Sequence, residues 1–169
     1  MAFEKVKQYF EHIGLGERVI TLEESSATVE EAALSIGCQP KQIAKTMSFL
    51  LTDKPILIVC SGDAKIDNKK YKMYFRQKAR MIPADEVESY IGHAPGGVCP
   101  FAVHSDVTVY LDVSLKRFDI IYPAAGSGHS AVKLSLKELE QYSSFVGWTD
   151  VCKDWIENGR EGNADRDDK

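Results

Sequence analysis

The sequence predicts one α+β domain, in which helices pack against a central mixed β-sheet. Helix-like and strand-like segments are mixed along the chain, and no repeat or linker divides it. Of its 169 residues, 44% are hydrophobic and 27% are charged, which is typical of a globular domain. No apolar run approaches the roughly 18 residues of a membrane-spanning helix. The N-terminal residues also lack a signal peptide, so we expect a cytoplasmic protein that does not associate with membranes.

Helices are predicted from apolar residues at helical spacing and from residues that begin and end helices. Thr28 is placed to cap one helix, with Glu31 at the capping-box position. Ser135 caps another in the same way, with Glu138 three residues later. Pro40 suits the first turn of a short helix. The predicted helices cover 3–13, 29–36, 40–45, 67–75 and 136–142, and one more begins at 83–88.

Strands are predicted from short apolar or β-branched runs between turn-forming residues. The run 56–60 is apolar at every position, as in a strand buried on both faces. Asp53 and Lys54 separate two runs and predict a tight turn. The predicted strands are 18–22, 46–52, 55–61, 80–82, 108–112, 118–122 and 131–134. Polar residues dominate the C-terminus, so we expect a folded domain over 1–155 and a polar tail over 156–169.

A loop rich in glycine and proline, 92–100, is the first candidate site. Gly96 and Gly97 allow the main chain to approach a ligand closely, and Pro100 stiffens the exit of the loop. Exposed amides in such a loop can bind a carbonyl oxygen, as an oxyanion hole does. The alternative interpretation is a plain connecting loop.

Lys45 is the second candidate. It follows the apolar pair Ile43-Ala44 and precedes a predicted strand. Its ammonium group could bind a phosphate or polarise a carbonyl. A lysine at such a junction is often only a surface residue whose apolar stem packs on the protein.

Cys99 is the third candidate, because a thiol in a loop can act as a nucleophile when a base is near. His93, His104 and His129 are available as bases, but nothing in their spacing pairs one with the cysteine. His93, Cys99 and His104 also match no standard zinc spacing, so we expect no metal site. All four cysteines are expected to be free thiols.

Two further segments are candidates. The run Gly126-Ser127-Gly128-His129-Ser130 predicts either a second pocket-lining loop or a hairpin turn, and it lacks the ending of a P-loop.

Basic residues cluster over 65–80 although the net charge is −4. Such a cluster can follow phosphates or form a solvated helix face. Its basic members are Lys65, Lys69, Lys70, Lys72, Arg76, Lys78 and Arg80.

Five pieces of the sequence occur in a characteristic order: 29–34, 42–47, Gly62-Asp63 with Asp67 and Lys69-Lys70, 92–101, and 125–126 ahead of 132–135. Together they resemble the YbaK-type aminoacyl-tRNA deacylases and the editing domain of bacterial prolyl-tRNA synthetase. The resemblance covers about residues 18–145. It implies a mixed sheet packed with helices and a pocket for the 3′ end of a mischarged tRNA.

The resemblance implies a hydrolase that removes a wrong small amino acid from aminoacyl-tRNA, commonly Ala, Cys, Ser or Thr from tRNA(Pro), with no metal or organic cofactor. The near-invariant lysine of the family falls on Lys45, and its Gly-x-x-x-Pro loop falls on Gly96 to Pro100. The main chain of Gly96 and Gly97, rather than the Cys99 thiol, is then expected to carry the chemistry. The residues implied to bind the substrate are Val98, Cys99, Pro100, Gly126, Ser127, His129 and Ser130. Those expected to contact the tRNA backbone are Lys65, Lys69, Lys70, Lys72 and Arg76.

Two positions depart from the pattern of the family. Ala102 stands where many relatives have glycine, and Ala131 stands where relatives specific for Cys-tRNA carry an aspartate. The missing acid at Ala131 argues for an amino acid other than cysteine, and the methyl group of Ala102 is expected to alter the loop exit or narrow the pocket. Both departures leave open a non-catalytic tRNA-binding or regulatory module, and a thiol hydrolase built on Cys99 is a third hypothesis. A prolyl-tRNA synthetase is a candidate partner that could deliver the tRNA.

Overall fold

The computed structural model describes residues 2–155, and the predicted tail over 156–169 lies outside them. The helices are α1 (Ala2–His12), α2 (Val29–Ile36), α3 (Asn68–Phe75), α4 (Ala84–Ile91) and α5 (Leu136–Tyr142). The strands are β1 (Val19–Thr21), β2 (Ile43–Leu51), β3 (Lys54–Ser61), β4 (Lys65–Ile66), β5 (Thr108–Asp112), β6 (Ile120–Pro123), β7 (Ser130–Val132), β8 (Leu134–Ser135), β9 (Gly147–Thr149) and β10 (Cys152–Lys153). Among residues 2–155, no helix combines the length and apolarity needed to span a bilayer.

The central sheet has six strands in the order β8, β6, β2, β3, β5, β9. Its middle is the antiparallel hairpin of β2 and β3, which runs without a bulge from Ala44 opposite Ser61 to Leu51 opposite Lys54. β5 is parallel to β3, and β6 is parallel to β2 but pairs with it only at Ile43 and Ala44. Two short antiparallel pairs, β1 with β7 and β4 with β10, lie outside this sheet. The predicted mixed sheet is confirmed.

Helix starts predicted from the sequence are formed by the expected side chains. Ser135 Oγ accepts a hydrogen bond from the N–H of Glu138, whose carboxylate accepts one from the N–H of Ser135. Thr28 Oγ1 likewise accepts from the N–H of Glu31. Here the capping box is only half formed, because the Glu31 carboxylate accepts from the Ser25 hydroxyl instead. Local chemistry therefore determines where these helices begin.

The helix predicted over 40–45 is wrong. Only a 3-10 turn forms, at Pro40–Gln42, because Ile43 already pairs with Tyr122 of β6. Pairing with a distant strand, which local spacing does not reveal, outweighs the helix start indicated by Pro40. Lys45 therefore lies within a strand of the central sheet.

Other predicted boundaries differ in smaller ways. The hairpin turn falls on 52–53 rather than 53–54, since Leu51 pairs with Lys54. The predicted strand 80–82 makes a single bridge, between Met81 and Phe49. The predicted strand 131–134 divides into β7 and β8. β4, β9 and β10 were not predicted, because two or three residues are too few to show a period.

Apolar side chains cover both faces of the sheet. On one face, Val6 and Phe10 of α1 are buried, and the ring of Phe10 lies 4.7 Å from that of Phe101. On the other face, the ring of Tyr71 in α3 lies 5.2 Å from that of Phe49. Burying one such aromatic side chain stabilises the fold by about 1.5–3 kcal/mol. Phe10 of α1 and Tyr71 of α3 thus belong to two separate apolar clusters, which contain Ala44 and Phe49 of β2 respectively.

Ala102 adopts a left-handed backbone conformation, with φ 53°, just after the glycine-rich loop. A residue with a Cβ costs roughly 1–2 kcal/mol in this conformation, and glycine does not. A glycine at position 102 would adopt the same conformation without this strain. We expect Ala102→Gly to raise the free energy of unfolding by about 0.5 kcal/mol, because the relieved strain exceeds the added freedom of the unfolded chain. Urea unfolding measures the change.

Ala79→Gly is the matched control, since Ala79 is not among the residues with positive φ. Without strain to relieve, this substitution is expected to lower the free energy of unfolding by about 0.4–1 kcal/mol. Equal destabilisation by the two substitutions would contradict the prediction for Ala102.

Candidate functional site

A cleft of about 300 Å³ opens between α2, the glycine-rich loop and the outer edge of β2. Lys45, Gly96, Val98 and Ser130 line it, so the structure brings together residues from three separate candidate segments. Small or apolar residues of α2, β2, β6 and β7 form most of the remaining wall. The volume is at the lower end of the range for small-molecule pockets, about 300–1,000 Å³.

Lys45 reaches the cleft from β2, where it lies opposite Cys60 of β3. Its ammonium group donates a hydrogen bond to the main-chain carbonyl of Ala64. Within residues 2–155, no carboxylate forms an ion pair with it. The positive charge is therefore held in place by a neutral partner and stays available to a phosphate or an ester carbonyl.

Glycines bring three loops into direct contact beside the cleft. Gly96 has φ 91°, and a Cβ on it would lie 3.1 Å from the Cβ of Ala27. A Cβ on Gly97 would lie 2.5 Å from the main-chain nitrogen of Ser127. The N–H of Gly126 donates to the carbonyl of Gly97 at 3.1 Å. The two glycine-rich segments found in the sequence are thus packed on each other.

The main-chain N–H groups of the loop differ in whether they already have a hydrogen-bond partner within the protein. The N–H of Gly97 donates to the carbonyl of Ala94 at 3.1 Å, so it is already engaged. Gly96 and Val98, on either side, both line the cleft. Gly96 and Val98, rather than Gly97, are therefore the loop residues that border the cleft, and Gly97 allows close packing against Ser127.

Ser130 lies in the wall of the cleft and is held there by Ser26. The N–H of Ser130 donates to Ser26 Oγ at 3.1 Å, and the Ser26 hydroxyl donates to the carbonyl of Ser130 at 3.3 Å. Ser127 Oγ lies 2.8 Å from Ser130 Oγ. His129 is exposed, and Gly126 is buried against the start of α1. Of the segment 126–130, only Ser130 lines the cleft.

Cys99 and Pro100 are buried away from the cleft. The Cys99 sulfur lies 3.5 Å from Nε2 of His93, which is itself 2.7 Å from the carbonyl oxygen of Phe101. Because a carbonyl only accepts, Nε2 carries the proton and cannot take one from the thiol. Burial raises the pKa of the Cys99 thiol to about 12. The thiol is therefore protonated at neutral pH and unsuited to nucleophilic attack.

Iodoacetamide is expected to modify Cys38 of the native protein and to leave Cys99 unmodified at neutral pH. Cys38 is partly exposed, whereas Cys60, Cys99 and Cys152 are fully buried, and alkylation requires an accessible thiolate. Peptide mass spectrometry after a timed reaction measures the labelling at each site. Labelling in urea is the control, and Cys99 must react there. Rapid labelling of native Cys99 would revive the thiol hypothesis.

The basic cluster lies on β4, on α3 and on the segment that follows α3. Lys69, Lys72 and Lys78 are among the residues that line a second concavity of about 400 Å³. β4 begins directly after Ala64, the residue that accepts the hydrogen bond of Lys45. The cluster therefore starts beside the cleft. Its exposed members are Lys65, Lys69, Lys72, Arg76, Lys78 and Arg80.

Lys70 differs from the rest of the cluster. Its ammonium group donates to the Asp150 carboxylate at 3.2 Å and to the carbonyl of Cys152 at 3.0 Å. These bonds hold α3 against the segment that contains β10. The charge of Lys70 is thus partly neutralised, and its side chain has less freedom to reach an external phosphate than its neighbours have.

Several residues of the cleft were not singled out from the sequence. Ser26, Thr46 and Tyr122 come from a loop and two strands that are far apart in the chain, and each lines the cleft. Thr46 directly follows Lys45 in the chain, and this adjacency is the local signal that could have identified Thr46 as a cleft residue. The others carry no local signal, because only the packing of α2 and β6 against β2 brings them to the cleft.

This small α+β domain has a cleft lined by a lysine and by residues of a glycine-rich loop, as ligand-binding domains do. Comparison with known proteins identifies its family. The family profile described as the aminoacyl-tRNA editing domain matches residues 23–142. The chain belongs to the aminoacyl-tRNA editing domain family. The resemblance found in the sequence is thereby confirmed.

Individual relatives and solved structures agree with this assignment. The chain is 50% identical over 156 residues to the uncharacterised protein YwhH of Bacillus subtilis, covering 92% of this chain and 99% of that one. It is 33% identical over 95 residues to the proline–tRNA ligase of Limosilactobacillus fermentum, covering 53% of this chain but only 17% of the ligase. A crystal structure of a proposed trans-editing enzyme for prolyl-tRNA synthetase has a TM-score of 0.80 at 26% identity, covering 90% of this chain and 97% of that one.

Proposed function

We propose that this protein hydrolyses the ester bond between a wrong small amino acid and tRNA, with tRNA(Pro) as the carrier, in the cytoplasm. The observation that carries the proposal is the convergence of Lys45, Gly96, Val98 and Ser130 on one cleft. A related protein of matching fold and length is itself a proposed trans-editing enzyme for prolyl-tRNA synthetase. We therefore take prolyl-tRNA synthetase as the source of the mischarged tRNA.

The reaction needs no nucleophile from the protein. Water adds to the ester carbonyl carbon, the bond to the ribose oxygen breaks, and that oxygen takes up the proton that the water gives up. The products are the free amino acid and a tRNA with a free 3′ hydroxyl. We assign stabilisation of the oxyanion to the main-chain N–H groups of Gly96 and Val98, two loop residues that line the cleft. Lys45 binds the terminal phosphate or the ester carbonyl.

The wall of the cleft favours a small side chain on the substrate. Ala27, Ala32, Ala124 and Ala131 are among its residues, and Ala131 is almost fully buried. By the resemblance, Ala131 holds the position at which Cys-specific relatives carry an aspartate. Ala131 supplies no carboxylate to interact with a substrate thiol, so we assign the cleft to a small amino acid other than cysteine.

The exposed basic residues that begin beside the cleft are proposed to bind the tRNA backbone. Lys65, Lys69, Lys72 and Arg76 are exposed, whereas Lys70 is engaged with Asp150. Each phosphate contact adds roughly 0.7–0.9 to the slope of log K against log salt concentration. Affinity for tRNA is therefore expected to fall steeply between low and moderate salt.

The test is deacylation of a panel of charged tRNAs. The protein is incubated with tRNA(Pro) that carries Ala, Ser, Thr or Cys, and release of the labelled amino acid is followed beside the spontaneous loss. Correctly charged Pro-tRNA(Pro) is the control and should remain intact. The absence of release above background for every mischarged tRNA would falsify the proposal.

A second candidate is a tRNA-binding module without catalysis. It is favoured by Ala131, which places a methyl group where some active relatives have an acid. This alternative predicts salt-sensitive binding of tRNA without turnover. The same panel, read by filter binding as well as by release, separates it from the deacylase.

A further inference from the structure

The outer edge of β2 is interrupted beside the cleft. At one end, β6 pairs with Ile43 and Ala44 and then diverges. Further along, the N–H of Ile82 donates to the carbonyl of Ser48 at 3.2 Å, and the N–H of Leu50 donates to the carbonyl of Arg80 at 2.9 Å. Between these two pairings, no described strand lies against the outer edge of β2 at Thr46.

The direction of the Thr46 main-chain groups follows from strand geometry. In a regular strand the N–H and C=O of one residue point to the same edge, and the edge alternates from residue to residue. β2 pairs with β3 without a bulge, and Ser48 and Leu50 use their groups on the outer edge. The N–H and C=O of Thr46, two residues earlier, must point outward as well. Thr46 also lines the cleft, which opens along this edge of β2.

We propose that the aminoacyl group of the substrate pairs with the main chain of Thr46, as a single residue added to the open edge of β2. The N–H of Thr46 donates to the ester carbonyl oxygen, and the C=O of Thr46 accepts a hydrogen bond from the α-ammonium group. This inference rests on the proposed deacylase function and adds how the amino acid is held. An aminoacyl ester has the donor and acceptor of one residue of a strand, which makes the pairing a one-residue case of strand addition.

The length of the gap argues for an aminoacyl group rather than a peptide. Strand residues are about 3.3 Å apart, and the pairings at Ala44 and Ser48 flank Thr46 closely on both sides. A longer acyl chain that continued along β2 would meet β6 on one side and the segment 80–82 on the other. We therefore expect peptidyl-tRNA to be a poor substrate.

The pairing also assists the chemistry. Negative charge develops on the carbonyl oxygen as water adds, and an N–H fixed by the strand stabilises that charge without reorganising. The C=O of Thr46 makes a charge-assisted bond to the α-ammonium group, which is stronger than a bond between neutral groups. The side chain of Thr46 is not part of this pairing. Its Oγ1 is buried and has no hydrogen-bond partner among the described residues.

Thr46→Pro is the first test, because proline removes the N–H that faces the cleft and leaves the bonds between β2 and β3 in place. Thr46→Val keeps the N–H and removes only the hydroxyl. We expect single-turnover deacylation by Thr46→Pro to be about 100-fold slower than by Thr46→Val, the usual effect of losing one oxyanion donor. Equal rates in two variants that melt at similar temperatures overturn the inference.

Substrate analogues test the same pairing in the unaltered protein, should Thr46→Pro fail to fold. Alanyl-, lactyl- and propionyl-tRNA(Pro) carry an ammonium, a hydroxyl and no donor at the α-carbon. Each enzymatic rate is divided by the spontaneous hydrolysis rate of the same ester. We expect the normalised rate to fall in that order, with propionyl slower than alanyl by at least about 10-fold. Equal normalised rates overturn the inference and leave the deacylase function standing, whereas no turnover of any mischarged tRNA overturns both.

Discussion

Replacement of Lys45 by alanine is expected to slow deacylation of mischarged tRNA by about 100-fold or more, the scale on which loss of one preorganised charge or donor acts. Lys45 lines the cleft, and among the described residues its ammonium group donates a hydrogen bond to the carbonyl of Ala64 alone. The loss of that bond should change stability little, because a single bond at a partly exposed site contributes only about 1 kcal/mol. Single-turnover release of the amino acid and a thermal melt measure the two effects.

Lys54→Ala is the matched control for Lys45→Ala. Lys54 is an exposed lysine at the other end of the β2–β3 hairpin, far along the strand from the cleft. The Lys54→Ala variant should retain the deacylation rate of the unaltered protein. Near-normal deacylation by Lys45→Ala would show that Lys45 takes no part in the reaction.

Cys99→Ser addresses the rival mechanism. Most of the activity should survive, because the protonated Cys99 thiol is fully buried and the neighbouring His93 cannot act as its base. Complete loss of activity in a folded Cys99→Ser protein would restore the thiol mechanism.

Gly97→Ala is expected to lower both stability and activity. Its Cβ would lie 2.5 Å from the nitrogen of Ser127 and 2.6 Å from the carbonyl carbon of Gly126, and neither main-chain atom can move without displacing its loop. Overpacking of this kind costs about 1–3 kcal/mol. Displacement of the loop also moves Gly96 and Val98 out of position, so deacylation should fall with stability. Urea unfolding and single-turnover deacylation at a temperature well below the melt separate the two effects.

Gly128→Ala provides the comparison for Gly97→Ala within the same pair of loops. A Cβ on Gly128 would lie 3.6 Å from the Cβ of Ala27, an ordinary contact, and its φ is not positive. We expect a change in the free energy of unfolding below about 0.5 kcal/mol, as for substitutions away from tightly packed features. If Gly97→Ala proves as mild as Gly128→Ala, the close packing of the two loops is not required.

Much of the fold followed from local chemistry. The caps at Thr28 and Ser135 were predicted because a hydroxyl and the amide that it accepts from are only three residues apart. The apolar run in β3 likewise indicated a strand buried on both faces. Prediction was wrong where a distant partner decided the outcome, as when the pairing of Ile43 with Tyr122 replaced a helix by a strand. The role predicted for Lys45 and the glycine-rich loop stays a prediction until the variants are measured.

The amino-acid sequence by itself determined the family, the helix starts, the two glycine-rich segments and the lysine. These depend on residue types at short spacing or in a fixed order along the chain. Only the tertiary structure decided that the Cys99 thiol is enclosed, that Gly97 packs on Ser127, and that the edge of β2 stays open at Thr46. Each of these depends on segments that are far apart in the chain, and contact between such segments is set by the packing of the whole domain.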